Sequence, residues 1–304
     1  MNKTKYNDIS SLCKVLGVSA KALYTASNTI DAHYRTVRIP KGNGEYRTLH
    51  VPDDFLKNIQ RQIAAKLFTN EELPQCATAY IINKGILANA MPHVGREIVV
   101  KMDIRKFFDH ITYPMVKERV FAADKYSESL RILLSILCVY RHAVPQGAPT
   151  SPMISNMVLR EFDIEVNEWC TSRDITYTRY CDDMTFSGDF NPDELIPYVK
   201  DKLLEQGFFI NPRKTVILKN GQRKSVTGIT VNEKVSVCRK YKKQLRQELY
   251  YCQKYGLKEH IKTIAKNENY GSVLLGRINY VLSVEKYNDE IKGYRQWLIN
   301  QMKV

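Results

Sequence analysis

The sequence has no apolar run long enough to cross a bilayer. Its longest, Ile132 to Tyr140, is interrupted by Ser135 and falls far short of the roughly 18–20 residues a span requires. The N-terminus, MNKTKYNDIS, lacks the apolar core of a secretory leader. No CxxC pair occurs among the seven cysteines at 13, 76, 138, 170, 181, 238 and 252. Neither a zinc site nor a disulfide framework is therefore indicated, and reduced thiols in a cytosol are the default. There is no low-complexity linker, no internal repeat and no basic amphipathic helix suited to a membrane surface. A soluble, cytoplasmic protein with no membrane partner is expected. Acid is in short supply: 32 Asp+Glu stand against 46 Lys+Arg, a formal charge of +14 over 304 residues. Such an excess favours polyanionic partners, nucleic acid first and an anionic membrane surface second. The hydrophobic share of 44% is that of an ordinary globular chain, long enough for one large domain or two to three small ones.

Residues 8–28 read as one or two short amphipathic helices, with Ser19 as N-cap of the second. Alternation in YRTVRIP and EYRTLHV around Lys41-Gly42-Asn43-Gly44 predicts a hairpin over 34–51. A helix follows, capped by Asp53 or Asp54. Ile98 to Ile104 is an apolar strand carrying Asp103 near its end. Ser151 and Pro152 open a helix as N-cap and N1 proline, with Met153, Ile154, Met157, Val158 and Phe162 as its stripe. The segment DITYTRYCDDMTFSG (174–188) alternates on both sides of Cys181-Asp182-Asp183, which suggests a hairpin with the acids at its tip. Asn191-Pro192 starts another helix, Gly207 stops it, and Phe208-Phe209-Ile210 is a short strand. The order from 98 to 210 is thus β-α-β-β-α-β, a ferredoxin-like arrangement within an α+β fold. In that topology the first strand lies beside the central hairpin, so Asp103 can meet Asp182 and Asp183. From Val235 to Val304 the chain turns helical and basic, with 14 Lys+Arg against 6 Asp+Glu. Tyrosines 241, 250, 251, 255, 270, 280, 287 and 294 are interleaved with these cations. That pattern suits either a surface tracking a phosphate backbone or a basic bundle with tyrosines half in its core.

Three convergent carboxylates have a chemical use. Transfer of a nucleotidyl group from a triphosphate to a hydroxyl needs two Mg²⁺ ions about 4 Å apart. Hard oxygen donors on a rigid sheet suit them. Taken singly each piece is common, and Asp53-Asp54 is a second doublet read simply as a helix cap.

The combination is more specific. Lys101-Met102-Asp103-Ile104-Arg105-Lys106-Phe107-Phe108 resembles the first palm motif of reverse transcriptases. Val144-Pro145-Gln146-Gly147-Ala148-Pro149-Thr150-Ser151-Pro152 resembles the second, Tyr180-Cys181-Asp182-Asp183 the third, and Asn211-Pro212-Arg213-Lys214-Thr215 the fourth. The resemblance implies a right-hand polymerase fold with a ferredoxin-like palm, fingers and a helical thumb. Residues 1–95 would be N-terminal helices and fingers, 96–233 the palm (with fingers helices at 113–143), and 234–304 a basic helical thumb. It implies Asp103, Asp182 and Asp183 as catalytic metal ligands with the Ile104 carbonyl, and Mg²⁺, replaceable by Mn²⁺, as cofactor. Deoxynucleoside triphosphates would be the substrates. Phe108 would close the space for a 2′-hydroxyl, while Phe107 is read as core. Gln146 and Gly147 would lie along the incoming nucleotide, with Lys41 and Arg47 on its triphosphate. Lys214 would protonate the leaving pyrophosphate. Cys181 departs from the Ala or Met common at its position.

Asn89-Ala90-Met91-Pro92-His93 and Val226-Thr227-Gly228 are similar to two further motifs of bacterial retron reverse transcriptases. Membership there implies a structured non-coding RNA partner, with contacts expected at Asn89, His93, Val226, Thr227 and Gly228. Arg239, Lys240, Lys242, Lys243 and Arg246 of the thumb would add to them. It also implies a branched RNA–DNA product primed from a guanosine 2′-hydroxyl, an effector protein encoded nearby for anti-phage defence, and a host ribonuclease H to remove template. The alternatives are another bacterial class (group II intron-like, diversity-generating or CRISPR-associated) and a non-catalytic RNA-binding module with a polymerase fold.

Overall fold

The structure is a computed structural model that describes residues 6, 8–40, 42, 44–69, 71–263 and 269–302. The chain forms two compact units that do not follow it in consecutive blocks. The first comprises residues 1–83, 100–186 and 190–217; the second comprises 84–99, 187–189 and 218–304.

In the first unit, helices Ile9–Leu16 and Ala20–Asn28 begin as their sequence predicts. Asp8 accepts from the Ser11 N–H at 2.8 Å and Ser19 from that of Ala22 at 3.2 Å, each satisfying an otherwise orphan donor of the first turn. Strands β1 (Tyr34–Pro40) and β2 (Tyr46–Pro52) pair antiparallel, with Val37 opposite Leu49 and Ile39 opposite Arg47. Their connection includes Lys41, which lies outside the described residues. Asp53 caps helix Asp54–Leu67 through the Leu56 N–H at 2.9 Å and contacts His33 Nδ1 at 2.7 Å. The Asp53-Asp54 doublet is therefore structural. Leu12, Leu23, Leu56, Ile63, Leu134 and Leu137 form the apolar interior of these helices, all fully buried.

The larger sheet contains β3 (Ile98–Asp103), β4 (Thr176–Tyr180), β5 (Asp183–Gly188) and β6 (Val216–Leu218), ordered β4-β5-β3-β6. That is the ferredoxin-like order, with β3 next to the hairpin. Two local readings need correction. The fourth strand is Val216–Leu218 rather than Phe208–Ile210. The latter segment pairs with residues at and past the end of β3, through Arg105 N–H to Phe209 O at 2.8 Å and Asn211 N–H to Asp103 O at 2.7 Å. Helix Ser151–Val158 has Thr150 at its N-cap position. Ser151 instead donates its hydroxyl to Pro145 O at 2.7 Å, which closes the loop before the helix.

The second unit contains a small antiparallel sheet of β7 (Ser225–Val226), β8 (Ile229–Thr230) and β9 (Ser236–Val237). Its long helices are Arg239–Tyr255, Tyr270–Val284 and Asp289–Met302. Val226, Ile229, Val237, Leu245, Leu249, Leu274, Ile278, Val281, Ile291 and Leu298 form one core. The tyrosines divide between the two roles open to them. Tyr270 is buried and Tyr241, Tyr280 and Tyr294 pack against this core, whereas Tyr250, Tyr251, Tyr255 and Tyr287 are exposed.

Candidate active site

Asp103 ends β3, and the next residue ties that strand end to the hairpin: the Ile104 N–H donates to Asp182 O at 2.9 Å. Cys181 and Asp182 form the two-residue connection of β4 and β5, and Asp183 is the first residue of β5. The turn puts Cys181 at φ 60°, a left-handed conformation uncommon for a residue with a Cβ. The three acids, separated by about eighty residues of chain, therefore line one cleft of about 940 Å³.

The electrostatics agree with convergence. Burial raises the Asp182 carboxyl above the usual carboxylate range, and the charge of Asp103 adds to it. Asp183 surfaces in the cleft, and its carboxyl is raised by the packing around it and then by Asp182 and Asp103. Like charges are being held together, which a site for cations requires. Lys214 offsets part of that repulsion. Its ammonium lies 2.5 Å from Asp103 Oδ1, and Asn211 Nδ2 donates to Asp103 Oδ2 at 3.3 Å. The hydrogen bond to Asp103 raises the Lys214 ammonium pKa, against partial burial that lowers it. Among the described residues no group of three or more His, Cys, Asp or Glu side chains that could hold a metal ion by itself occurs. Hard carboxylate oxygens on rigid strands, open toward a cleft, nonetheless fit Mg²⁺, which is commonly held by one or two carboxylates together with substrate phosphates.

The remaining predicted residues divide. Phe107 is buried against Phe208 at 5.6 Å and Phe108 is half-buried, and both line the cleft. Gln146, Arg47, Ile104 and Lys214 also line it. Gly147 does not; its close approach is to the β1–β2 hairpin. A Cβ there would stand 3.0 Å from His50 O, and the backbone is at φ +120°. The adjoining Gln146 O accepts from the His50 N–H at 2.9 Å.

In the second unit the expected RNA contacts need revision. Asn89, His93 and Val226 are fully buried, which leaves them no surface to offer a ligand. His93 Nδ1 lies 2.7 Å from Ser187 Oγ, and burial, with Arg96 adding to it, pushes the imidazole down to about 3. It is a neutral core histidine at physiological pH. Thr227 and Gly228, at φ 46° and 83°, are the two central residues of the β7–β8 turn. Two consecutive left-handed residues suit a two-residue hairpin. Thr227 donates its hydroxyl to Ile86 O at 3.1 Å. The Val-Thr-Gly triplet is thus a turn with a tether. On helix Arg239–Tyr255 Lys242 pairs with Glu285 at 2.7 Å and Arg246 with Glu290 at 2.6 Å, while Arg239, Lys240 and Lys243 are exposed.

Sequence reasoning missed Arg179, Asn156, Asp163 and Tyr80. The first three are fully buried beneath the hairpin, and Tyr80 lines the cleft. One signal was available: Asp163 sits on the apolar stripe of its helix, beside Phe162 and Val166, where an acid needs a partner.

A family model for reverse transcriptase (RNA-dependent DNA polymerase) matches residues 39–246, which span the cleft and all four palm motifs. The chain belongs to the reverse transcriptase family. Its relatives are retron enzymes. The Retron Mx65 reverse transcriptase of Myxococcus xanthus is 32% identical over 238 residues, covering 72% of this chain and 56% of that protein. The Retron Ec86 reverse transcriptase of Escherichia coli is 27% identical over 288 residues, 92% of this chain and 85% of that one. The Retron Ec83 reverse transcriptase of Escherichia coli is 33% identical over 230 residues, 70% and 73% respectively. The chain thus spans just over half of the Mx65 protein and more than two thirds of the two Escherichia coli proteins. The matched family is one of RNA-dependent DNA polymerases. No helix among the described residues is long and apolar enough to cross a membrane.

Proposed function

We propose that this reverse transcriptase copies part of a structured non-coding RNA of its own retron into a branched single-stranded DNA, primed from a guanosine 2′-hydroxyl. We place it in an anti-phage defence system with an effector protein. The observation that carries the catalytic reading is the tie between the end of β3 and the Asp182 turn, which gathers Asp103, Asp182 and Asp183 in one cleft. Bound Mg²⁺ would activate the attacking hydroxyl and neutralise the leaving pyrophosphate. Asp103 and Asp182 are its principal ligands, with Asp183 and the Ile104 carbonyl beside them. Phe108 excludes a 2′-hydroxyl from the incoming sugar, Gln146 orients that nucleotide, and Gly147 keeps the Gln146 loop seated on the hairpin. Arg47 presents a guanidinium fork to the triphosphate, and Lys41 is the second cation assigned to it. Lys214, whose ammonium sits beside Asp103 Oδ1, would serve as proton donor to the leaving pyrophosphate. Structured RNA is read by shape and by unpaired bases. Exposed Tyr250, Tyr251, Tyr255 and Tyr287, with Arg239, Lys240 and Lys243, offer rings and cations for it. Template removal falls to a host ribonuclease H.

Two measurements test this reading. Asp182→Asn with Asp183→Asn should abolish Mg²⁺-dependent incorporation and leave RNA binding intact; incorporation at the wild-type rate would refute the site. Sequencing the nucleic acid that co-purifies with the protein should return one small branched RNA–DNA species. Diverse linear RNAs alone would sink the retron product.

A further inference from the structure

Arg179 lies on β4, two residues before the Cys181-Asp182 turn, and is completely buried. A guanidinium without water needs a counter-charge and partners for its donors. Its Nε donates to Asp163 Oδ1 at 2.8 Å and its Nη2 to Asp163 Oδ2 at 2.5 Å. Asp163 stands on helix Arg160–Thr171 and also accepts from the Tyr177 hydroxyl at 2.8 Å. These bonds anchor the guanidinium. Its other nitrogen, Nη1, faces the turn and donates to Asn156 Oδ1 at 3.1 Å and to the carbonyl oxygen of Cys181 at 2.9 Å.

That last bond falls on the peptide joining Cys181 to Asp182. The same oxygen-bearing peptide unit supplies the Asp182 N–H, so its plane sets the direction in which the Asp182 carboxylate leaves the backbone. Cys181 holds the plane in place from a left-handed φ, where a residue with a Cβ does not settle unaided. A second contact restrains the same residue: Tyr80 donates its hydroxyl to Cys181 Sγ at 3.3 Å. Tyr80 is itself left-handed, at φ 61°, and its neighbour's carbonyl, Ala79 O, accepts from Asn156 Nδ2 at 2.8 Å. Asn156 thus joins both restraints.

We propose that Arg179 is a positioning residue of the polymerase, which fixes the Cys181–Asp182 peptide and thereby aims the Asp182 carboxylate, with Asp163 and Asn156 fixing Arg179 in turn. The inference rests on Asp182 being a metal ligand, which Asp182→Asn tests separately. Arg179→Lys keeps a charge opposite Asp163 but gives up the fork that reaches Cys181 O. Misplacing a reacting group by an ångström costs on the order of a hundredfold. Arg179→Lys should therefore lower kcat by about ten- to a hundredfold, leave KM for the deoxynucleotide near its wild-type value, and raise the Mn²⁺ concentration for half-maximal rate severalfold. Mn²⁺ affinity of the free protein, read by electron paramagnetic resonance, should weaken in parallel. Because single removal of one partner of a buried ion pair can unfold a protein, Arg179→Met with Asp163→Asn provides the second variant. Replacing both members by neutral groups is often tolerated by the fold, yet the Cys181 carbonyl loses its donor. That double variant should melt near the wild-type temperature and show the same loss of kcat and of Mn²⁺ affinity. A folded variant of either kind with wild-type kcat or wild-type Mn²⁺ dependence overturns the proposal. If Asp182→Asn is inactive while these variants are normal, only the positioning role fails. If Asp182→Asn is active, the catalytic reading itself fails.

Discussion

Gly147→Ala isolates how the segment at residues 144–152 is joined to the β1–β2 hairpin. Gly147 is at φ +120°, and an added Cβ would meet His50 O at 3.0 Å and Val51 Cγ2 at 3.5 Å. Holding a non-glycine residue in such a region costs about 1–3 kcal/mol. The oxygen cannot retreat freely, because the His50 N–H is bound to Gln146 O at 2.9 Å. Breaking that bond to make room removes about 0.5–1.5 kcal/mol. Together these come to roughly 2–4 kcal/mol, or a melting temperature lowered by roughly 5–15 °C at about 2–4 °C per kcal/mol. Gly44→Ala is the control, since Gly44 is also left-handed at φ +83° but has nothing within 4 Å of its added Cβ. It should cost only the backbone strain, about 1–2 kcal/mol. Thermal denaturation of the two variants measures the difference, and steady-state kinetics should show KM for the deoxynucleotide raised severalfold in Gly147→Ala alone. Equal melting temperatures for the two variants, with an unchanged KM, would refute the docking argument.

Two further outcomes follow from the geometry. Thr227→Val keeps the strained left-handed backbone and loses the bond to Ile86 O, so it should destabilise the protein by about 0.5–1.5 kcal/mol. Thr227→Gly loses the same bond but relieves about 1–2 kcal/mol of strain, so its denaturation midpoint should stay close to wild type; the reverse order of stability would refute the tethered-turn reading. The raised carboxyls of Asp182 and Asp183 give a pH dependence. A carboxyl whose folded pKa exceeds its unfolded value retains its proton better in the folded state, so stability falls as pH rises through that interval. In the presence of a chelator, Asp182→Asn with Asp183→Asn should melt above wild type at neutral pH. That advantage should shrink as pH falls through the carboxylate range, and an advantage independent of pH would contradict the electrostatic account.

Periodicity and end signals alone located the helices that start at Ser19, at Asp53 or Asp54, and at Asn191, the 34–51 hairpin and the strand bearing Asp103. These depend on neighbours a few residues apart, so the chain carries them locally. The β-α-β-β-α-β order also gave Asp103 a reason to meet Asp182 and Asp183, since strand adjacency follows from topology. The same signals misplaced the fourth strand and the cap at Ser151, because Asp103 O and Pro145 O compete for those groups from elsewhere in the fold. They also could not separate a surface residue from a buried one in a short motif. Asn89 and His93 looked like contacts and are core, and Gly147 looked like a nucleotide neighbour and is a hairpin neighbour. Which of eight tyrosines faces solvent, and which lysines are already paired with Glu285 or Glu290, depends on how separate helices pack. Strand order was legible in the residues alone, and with it three carboxylates on one sheet. The buried network beneath them was not, because the Arg179 guanidinium, the Asp163 carboxylate and the Asn156 amide come from three elements and meet only once a dry interior demands that every charge and donor be matched.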